Sequence, residues 1–267
     1  MTRIAAKFNE LKKQKKKAFV SYIMAGDPNK SLTAKLLLEL PKAGVDLIEL
    51  GIPFSDPMAE GPTIQRAAER ALKNNCNLND CFELVKKFRL LDQKTPIILM
   101  GYYNSIFVYG VEKFLKTCQI IGVDGMIIVD LPPEEENEVT KKIKNYHIDL
   151  IRLTTPTTDA ARAKTIFKNA SGFIYYISVA GITGVKQAVK AEVQKSVKAL
   201  KQQTKLPVCV GFGISNAQTA KEIAETNCDG IVIGSAFIKI IEENISNPDK
   251  AVANCISFAK EIRKAID

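Results

Sequence analysis

DLIELGI, residues 46–52, is a short apolar run bounded by polar residues and followed by the turn-rich stretch PFSDPMAEGP, residues 53–62. Seven further runs share its length and character: AFVSYIM (18–24), PIILMGY (96–102), GMIIVDL (125–131), DLIRLTT (149–155), GFIYYIS (172–178), PVCVGFG (207–213) and GIVIGSA (230–236). A helical pattern follows each one. In LTAKLLLELPKAG, VEKFLKTCQIIG and AQTAKEIAETNC the apolar residues fall at i, i+3 and i+4. Strands that alternate with helices pair in parallel, and eight such units in 267 residues predict a closed (β/α)8 TIM barrel, one domain over 1–267. An extra N-terminal helix carries Ile4, Phe8 and Leu11 ahead of the first strand. A doubly wound open sheet is the alternative, but no GxGxxG follows the first strand.

Composition narrows the function classes. The chain is 46% hydrophobic and 25% charged, ordinary globular usage. No apolar run is long enough to span a bilayer, and the first residues lack the apolar core of a signal peptide, so a cytoplasmic protein is expected. The six cysteines (Cys76, Cys81, Cys118, Cys209, Cys228, Cys255) have no metal-ligand spacing, and read as small buried hydrophobes. His147 is the only histidine and reads as a loop residue, which leaves little room for a His-based triad. The net charge of +9 invites a nucleic-acid reading. Against it, Lys113, Lys116, Lys141, Lys142, Lys144, Lys195, Lys198 and Lys201 recur as solvated helix faces without interleaved aromatics. The run Lys12 to Lys17 ends a helix, where cations are favourable.

In a barrel the strand-to-helix loops crown the C-terminal face, where active sites lie. Two are long: 53–62 after the second strand, and VAGITGVKQAVKAEV, 179–193, after the sixth. Both are lid candidates. Glu49 sits mid-strand between Ile48 and Leu50, and alternation places it on one face with Leu47 and Gly51. If that face is the interior, burial raises its proton affinity, as suits a general acid and base. A structural carboxylate capping a loop is the other reading. Asp56 and Glu60 follow on the adjacent loop. After the last two strands, Gly213, Gly234 and Ser235 suit a phosphate, since glycine admits close approach and the next helix offers unpaired N–H groups; Gly184 is a further lid contribution. Glycines serving tight turns alone are the alternative. Tyr22, Met100, Tyr102, Tyr175 and Phe212 gather at strand ends, either as core or as a pocket for a flat ring. None of the eight runs contains a lysine, so Schiff-base chemistry is disfavoured and acid–base cleavage favoured. The lack of histidine there also weakens a generic phosphosugar isomerase.

The segments YIMAGDP, DLIELGIPFSDPMAEGPTIQRA, ILMGYYNSIFVYG, GVDGMIIVDLPPEE, YYISVAGITG, PVCVGFGIS and DGIVIGSAF resemble, in order, those of the tryptophan synthase α-subunit family. The resemblance implies a lyase that splits indole-3-glycerol phosphate into indole and glyceraldehyde 3-phosphate. It implies that Glu49 protonates C3 of the indole ring and then takes the C3′ hydroxyl proton, while the acid at position 60 accepts the ring N–H. It places phosphate near Gly184, Gly213, Gly234 and Ser235, the ring among Tyr22, Met100, Ile127, Tyr175 and Phe212, and the lid threonine at Thr183. It also implies a β-subunit partner facing Pro53, Asp56 and Pro57, in a complex of two α and two β chains. Pyridoxal phosphate is then carried by that partner, and this chain holds no cofactor. At one site position the sequence departs from the family: Ala59-Glu60-Gly61 stands where that pattern has Ala-Asp-Gly. Val129 and Ser105 are smaller departures. The longer acid opens two alternatives, a weakened catalyst that chiefly activates β and a free-standing lyase that needs no partner.

Overall fold

The structure is a computed structural model and describes residues 1–178, 186–211 and 213–267, with the side chains of 186–189 left aside. Its strands are β1 (Ala18–Met24), β2 (Leu47–Gly51), β3 (Ile97–Gly101), β4 (Gly125–Ile128), β5 (Asp149–Leu150), β6 (Arg152–Thr154), β7 (Ile174–Ile177), β8 (Val208–Gly211) and β9 (Gly230–Ile233). All pairings are parallel, in the spatial order β5-β4-β3-β2-β1-β9-β8-β7-β6. The run 149–155 is expected as one strand and is divided at Ile151. Its first half pairs with β4 and its second with β7, so the same segment joins both edges of the sheet and closes an eight-unit barrel. The break marks a change of neighbour, and the Ile151 N–H still donates to the Met126 carbonyl at 3.0 Å.

The helices used below are α1 (Arg3–Lys13), α2 (Lys30–Lys42), α3 (Pro62–Lys73), α4 (Leu78–Arg89), α5 (Tyr103–Tyr109), α6 (Val111–Ile121), α7 (Asn137–Ile143), α8 (Ala160–Phe167), α9 (Lys186–Lys201), α10 (Ala217–Ala224), α11 (Ser235–Glu242) and α12 (Pro248–Ile266). The connection expected over 179–193 is shorter than its sequence suggests, because α9 starts at Lys186. KQAVKAEV reads as a helix once its Ala and Lys content is weighed against the glycines before it.

Two apolar layers follow from strand alternation. Outward residues such as Ile23, Ile48, Leu50, Leu99 and Ile231 pack in one cluster with the helices, while Ala18, Val20, Leu47, Ile98, Ile127, Ile151, Phe173, Cys209 and Val232 fill the interior. Ile4, Phe8 and Leu11, on one face of α1, join that inner cluster and close the N-terminal end of the barrel. Phe8 meets Phe173 at 5.7 Å between ring centroids. The Thr2 hydroxyl caps α1 by accepting from the Ala5 N–H at 3.2 Å and donates to Asp149 at 2.7 Å, which ties the plug to the barrel rim. All six cysteines are buried and His147 is exposed, as expected. Among the described residues no helix is long and apolar enough to cross a membrane.

With the barrel floor sealed by α1, Phe8→Ala is expected to cost about 3 to 5 kcal/mol of unfolding free energy in urea denaturation. A loss below about 1 kcal/mol would mean that the helix only rests on the barrel.

Candidate active site at the C-terminal mouth

Glu49 lies on β2 in register with Tyr22 of β1 and Ile98 of β3, one layer above the interior residue Leu47. It is 1% exposed, and neither carboxyl oxygen has a hydrogen-bond partner among the described residues. Desolvation disfavours its anion, and the nearby Glu60 carboxyl adds repulsion, so its pKa rises to about 8. Burial also raises that of Glu60. Glu60 is half-buried in the 53–61 loop, with its N–H donating to the Pro57 carbonyl at 3.0 Å and its own carbonyl accepting from Gln65 at 2.9 Å. Its charge acts on Glu49, Tyr22, Tyr102 and Tyr175, so the longer side chain is turned into the mouth.

Two glycines admit the aromatic walls. A Cβ at Gly51 would sit 2.2 Å from the Tyr22 hydroxyl, and one at Gly211 would sit 2.5 Å from the Tyr175 ring. Both rings therefore lean across the neighbouring strand, and the charge of Glu49 acts on each. Met100, in register with Ile127, packs with Tyr175, Val129 and Leu153 on the inner cluster. Val129, noted in the sequence only as a departure from the family pattern, and Leu153 both follow from carrying the period-two alternation of Ile127 and Ile151 one step further. Tyr102 has a task that the sequence did not suggest. Its ring stacks on Phe54 at 5.2 Å, and its hydroxyl accepts from the Ala59 N–H at 3.1 Å, so it latches the loop that carries Glu60.

On the other side of Tyr22 are the glycines of the last two strands. Tyr22 follows the Ser21–Ile233 pair in register, which brings Gly234 beside it, and a Cβ there would meet the Tyr22 Cβ at 3.2 Å. Gly213 lies two residues past the end of β8, the strand that pairs with β9, in a turn whose φ of +77° favours glycine. Gly234 precedes α11 and no side chain among the described residues caps that helix, so the first N–H groups, starting at exposed Ser235, suit an anion. The N-terminus of α10 differs, since Asn216 and Thr219 close it with a capping box. Around the ring the order is Glu49, Tyr22, Gly234, Gly213, Tyr175, which separates carboxyl from anion site by two strand spacings, about 10 Å. Phe212, Thr183 and Gly184 lie outside the described residues.

A closed parallel barrel, carboxyls at its C-terminal mouth and an uncapped helix end beside them define the class of (β/α)8 barrel enzymes. Known proteins narrow this further. The family profile described as tryptophan synthase alpha chain matches residues 8–267. The crystal structure of tryptophan synthase subunit alpha from Legionella pneumophila str. Paris superposes with a TM-score of 0.93 at 41% identity, covering 100% of this chain and 99% of that one. A chain of the tryptophan synthase complex from Pyrococcus furiosus gives a TM-score of 0.83 at 36% identity, over 92% of this chain and 98% of that one. One from the M. tuberculosis tryptophan synthase gives 0.87 at 27%, over 100% and 99%. The chain belongs to the tryptophan synthase alpha chain family. It takes the α-subunit role, with a lyase activity in the tryptophan pathway.

Burial of Glu49 has a consequence for stability. Its folded pKa of about 8 lies above the ordinary carboxylate value of 4.5, so between these values the folded state holds a proton that the unfolded chain releases. The contribution of this group is most favourable below pH 4.5 and is lost as pH rises through 8. Glu49→Gln cannot ionise, so its unfolding free energy relative to the parent should grow from pH 5 to pH 8 by at least about 1.4 kcal/mol, the equivalent of one pK unit. Urea titrations at the two pH values check this, and an unchanged difference would mean that Glu49 is not strongly desolvated.

Proposed function

We propose that the chain cleaves indole-3-glycerol phosphate to indole and glyceraldehyde 3-phosphate by a retro-aldol reaction, with Glu49 as acid and then base. The observation that carries this reading is a buried carboxyl, without a hydrogen-bond partner among the described residues, whose pKa of about 8 keeps it protonated at neutral pH. In this mechanism Glu49 gives its proton to indole C3. The C3–C3′ bond then breaks, its electron pair returns to the ring, and the C3′ hydroxyl loses its proton to the Glu49 carboxylate. The hydroxyl carbon becomes the aldehyde, and Glu49 is left as it began. Glu60, whose pKa is raised by burial and whose charge opposes ionisation of Glu49, accepts the ring N–H as positive charge develops on the protonated indole. Tyr22, Met100, Ile127 and Tyr175 hold the ring, and the N–H groups near Gly213, Gly234 and Ser235 hold the phosphate.

The same reading gives the released indole to a β subunit that carries pyridoxal phosphate, in a complex of two α and two β chains in the cytoplasm. Support comes from the mouth's rim, where Met58 on the 53–61 loop is 84% exposed and Phe107 and Val108 on α5 are 59% and 77% exposed. They stand above the adjacent strands β2 and β3, and exposed apolar groups gathered on one rim suit a protein partner. A chain that only activates β finds no support, because the Glu60 carboxyl still lies close enough for its charge to act on Glu49.

Indole release from indole-3-glycerol phosphate, with and without a β subunit, tests the reading. Glu49→Gln should lower kcat by at least about a hundredfold, as expected for loss of a proton-transfer group, and leave binding of glycerol 3-phosphate unchanged. A variant that keeps a tenth of the rate, a barrier raised by only about 1.4 kcal/mol, would remove Glu49 from the chemistry.

The acid at 60 makes a separate prediction. Glu60→Asp should raise activity through kcat, since the carboxylate acts most strongly on the transition state, whereas Glu60→Ala should lower it. Equal rates for the parent and both variants would show that position 60 does not limit the reaction.

A further inference from the structure

We propose that Arg70 is a positioning residue that sets the spacing between the ring end and the phosphate end of the mouth, a role that rests on the two ends assigned above. α3 begins two residues after Glu60 and presents Arg66 and Arg70 four residues apart, hence on one face. The Arg70 Nε donates to Asp27 Oδ1 at 2.6 Å and its Nη2 to Asp27 Oδ2 at 2.9 Å. Asp27 is 1% exposed and lies in the turn that leaves β1, five residues beyond Tyr22. The remaining nitrogen, Nη1, donates to Glu242 Oε1 at 2.8 Å. Arg66 grips both oxygens of the same Glu242, at 2.6 and 2.8 Å. These two arginines hold its carboxyl down to about pKa 2.

Glu242 ends α11, and the opposite end of that helix carries Gly234 and Ser235. One guanidinium therefore joins three segments that follow or lead to the site: the turn after β1, the helix behind Glu60, and the helix whose N-terminus faces the phosphate. All three of its nitrogens are engaged with carboxylates of these segments, so Arg70 acts through these partners. A planar fork fixes angle as well as charge, which a lysine ammonium cannot do. Asp27, sealed from water, would be left as a costly buried charge without it.

The substrate spans both ends in one molecule. A ligand that fills one end alone is indifferent to their spacing, while a ligand that fills both must meet them at the right separation. A displacement of about 1 Å costs on the order of a hundredfold in rate. Loss of the fork should thus be felt by the linked ligand and spared by its fragments.

The test uses Arg70→Lys, which keeps the charge, and Glu242→Gln, which removes one arm at a partly exposed position and guards against misfolding of the first. Dissociation constants are measured for indole, for glycerol 3-phosphate and for an indolylpropyl phosphate that lacks the C3′ hydroxyl, together with kcat on the substrate. In both variants the fragments should bind within about twofold of the parent, the linked ligand about tenfold more weakly, and kcat should fall about tenfold or more. A merely structural role would weaken all three ligands together or change none, and either result overturns the proposal. If the parent protein binds neither fragment, the assignment of the two ends fails, and the role of Arg70 falls with it.

Discussion

A carboxylic acid enclosed by an apolar barrel, with no donor to stabilise its anion, keeps its proton through neutral pH, and the geometry of this mouth is arranged around that fact. Glu49 owes its state to its position in the strand. Alternation turns it inward above Leu47, and the rings of Tyr22 and Tyr175 flank it because Gly51 and Gly211 give them room. Any side chain on either glycine would push a ring away and admit water, and the desolvation that raises the pKa would weaken.

The second carboxyl sharpens the first. Glu60 arrives from a loop rather than a strand, so something must hold it, and the Tyr102 latch on Ala59 and Phe54 does so from the next strand along. Two acids in one cavity do not ionise independently. The less enclosed Glu60 carries the charge, and that charge adds to the burial that protonates Glu49. Acid and acceptor are therefore separated by their surroundings, although they are the same residue type. Strand order then supplies the third element, with Gly234 and the uncapped start of α11 across Tyr22 from Glu49.

Much of this was legible in the sequence because strand and helix periodicities are local. All eight strand positions follow from apolar runs, and Glu49 stands out as a charge where the pattern demands an apolar residue. Gly213 and Gly234 were legible as glycines just past strand ends, and Ser235 as the residue that follows the second of them. Contacts between segments distant in the chain were not legible. Nothing local in DLIRLTT reports that its halves pair with different neighbours, since that depends on barrel closure. Likewise, Tyr102 reads as another pocket aromatic until Phe54 and Ala59 are seen against it. Arg70 reads as one of many surface cations on a helix, and its meeting with Asp27 and Glu242, 43 and 172 residues away, is a product of the fold.

The most direct measurement of the central claim is the protonation of Glu49 itself, followed by carbon NMR of a labelled Glu49 side-chain carboxyl across pH 4 to 10, with Glu49→Gln to assign the resonance. The carboxyl should titrate with a midpoint near 8. In Glu60→Gln, which removes the neighbouring charge, the midpoint should move down while staying above the ordinary carboxylate range, since burial is the larger cause. A midpoint near 4.5 in the parent protein would contradict the account, because the residue would then be an exposed or partnered carboxylate at neutral pH, with no proton to give.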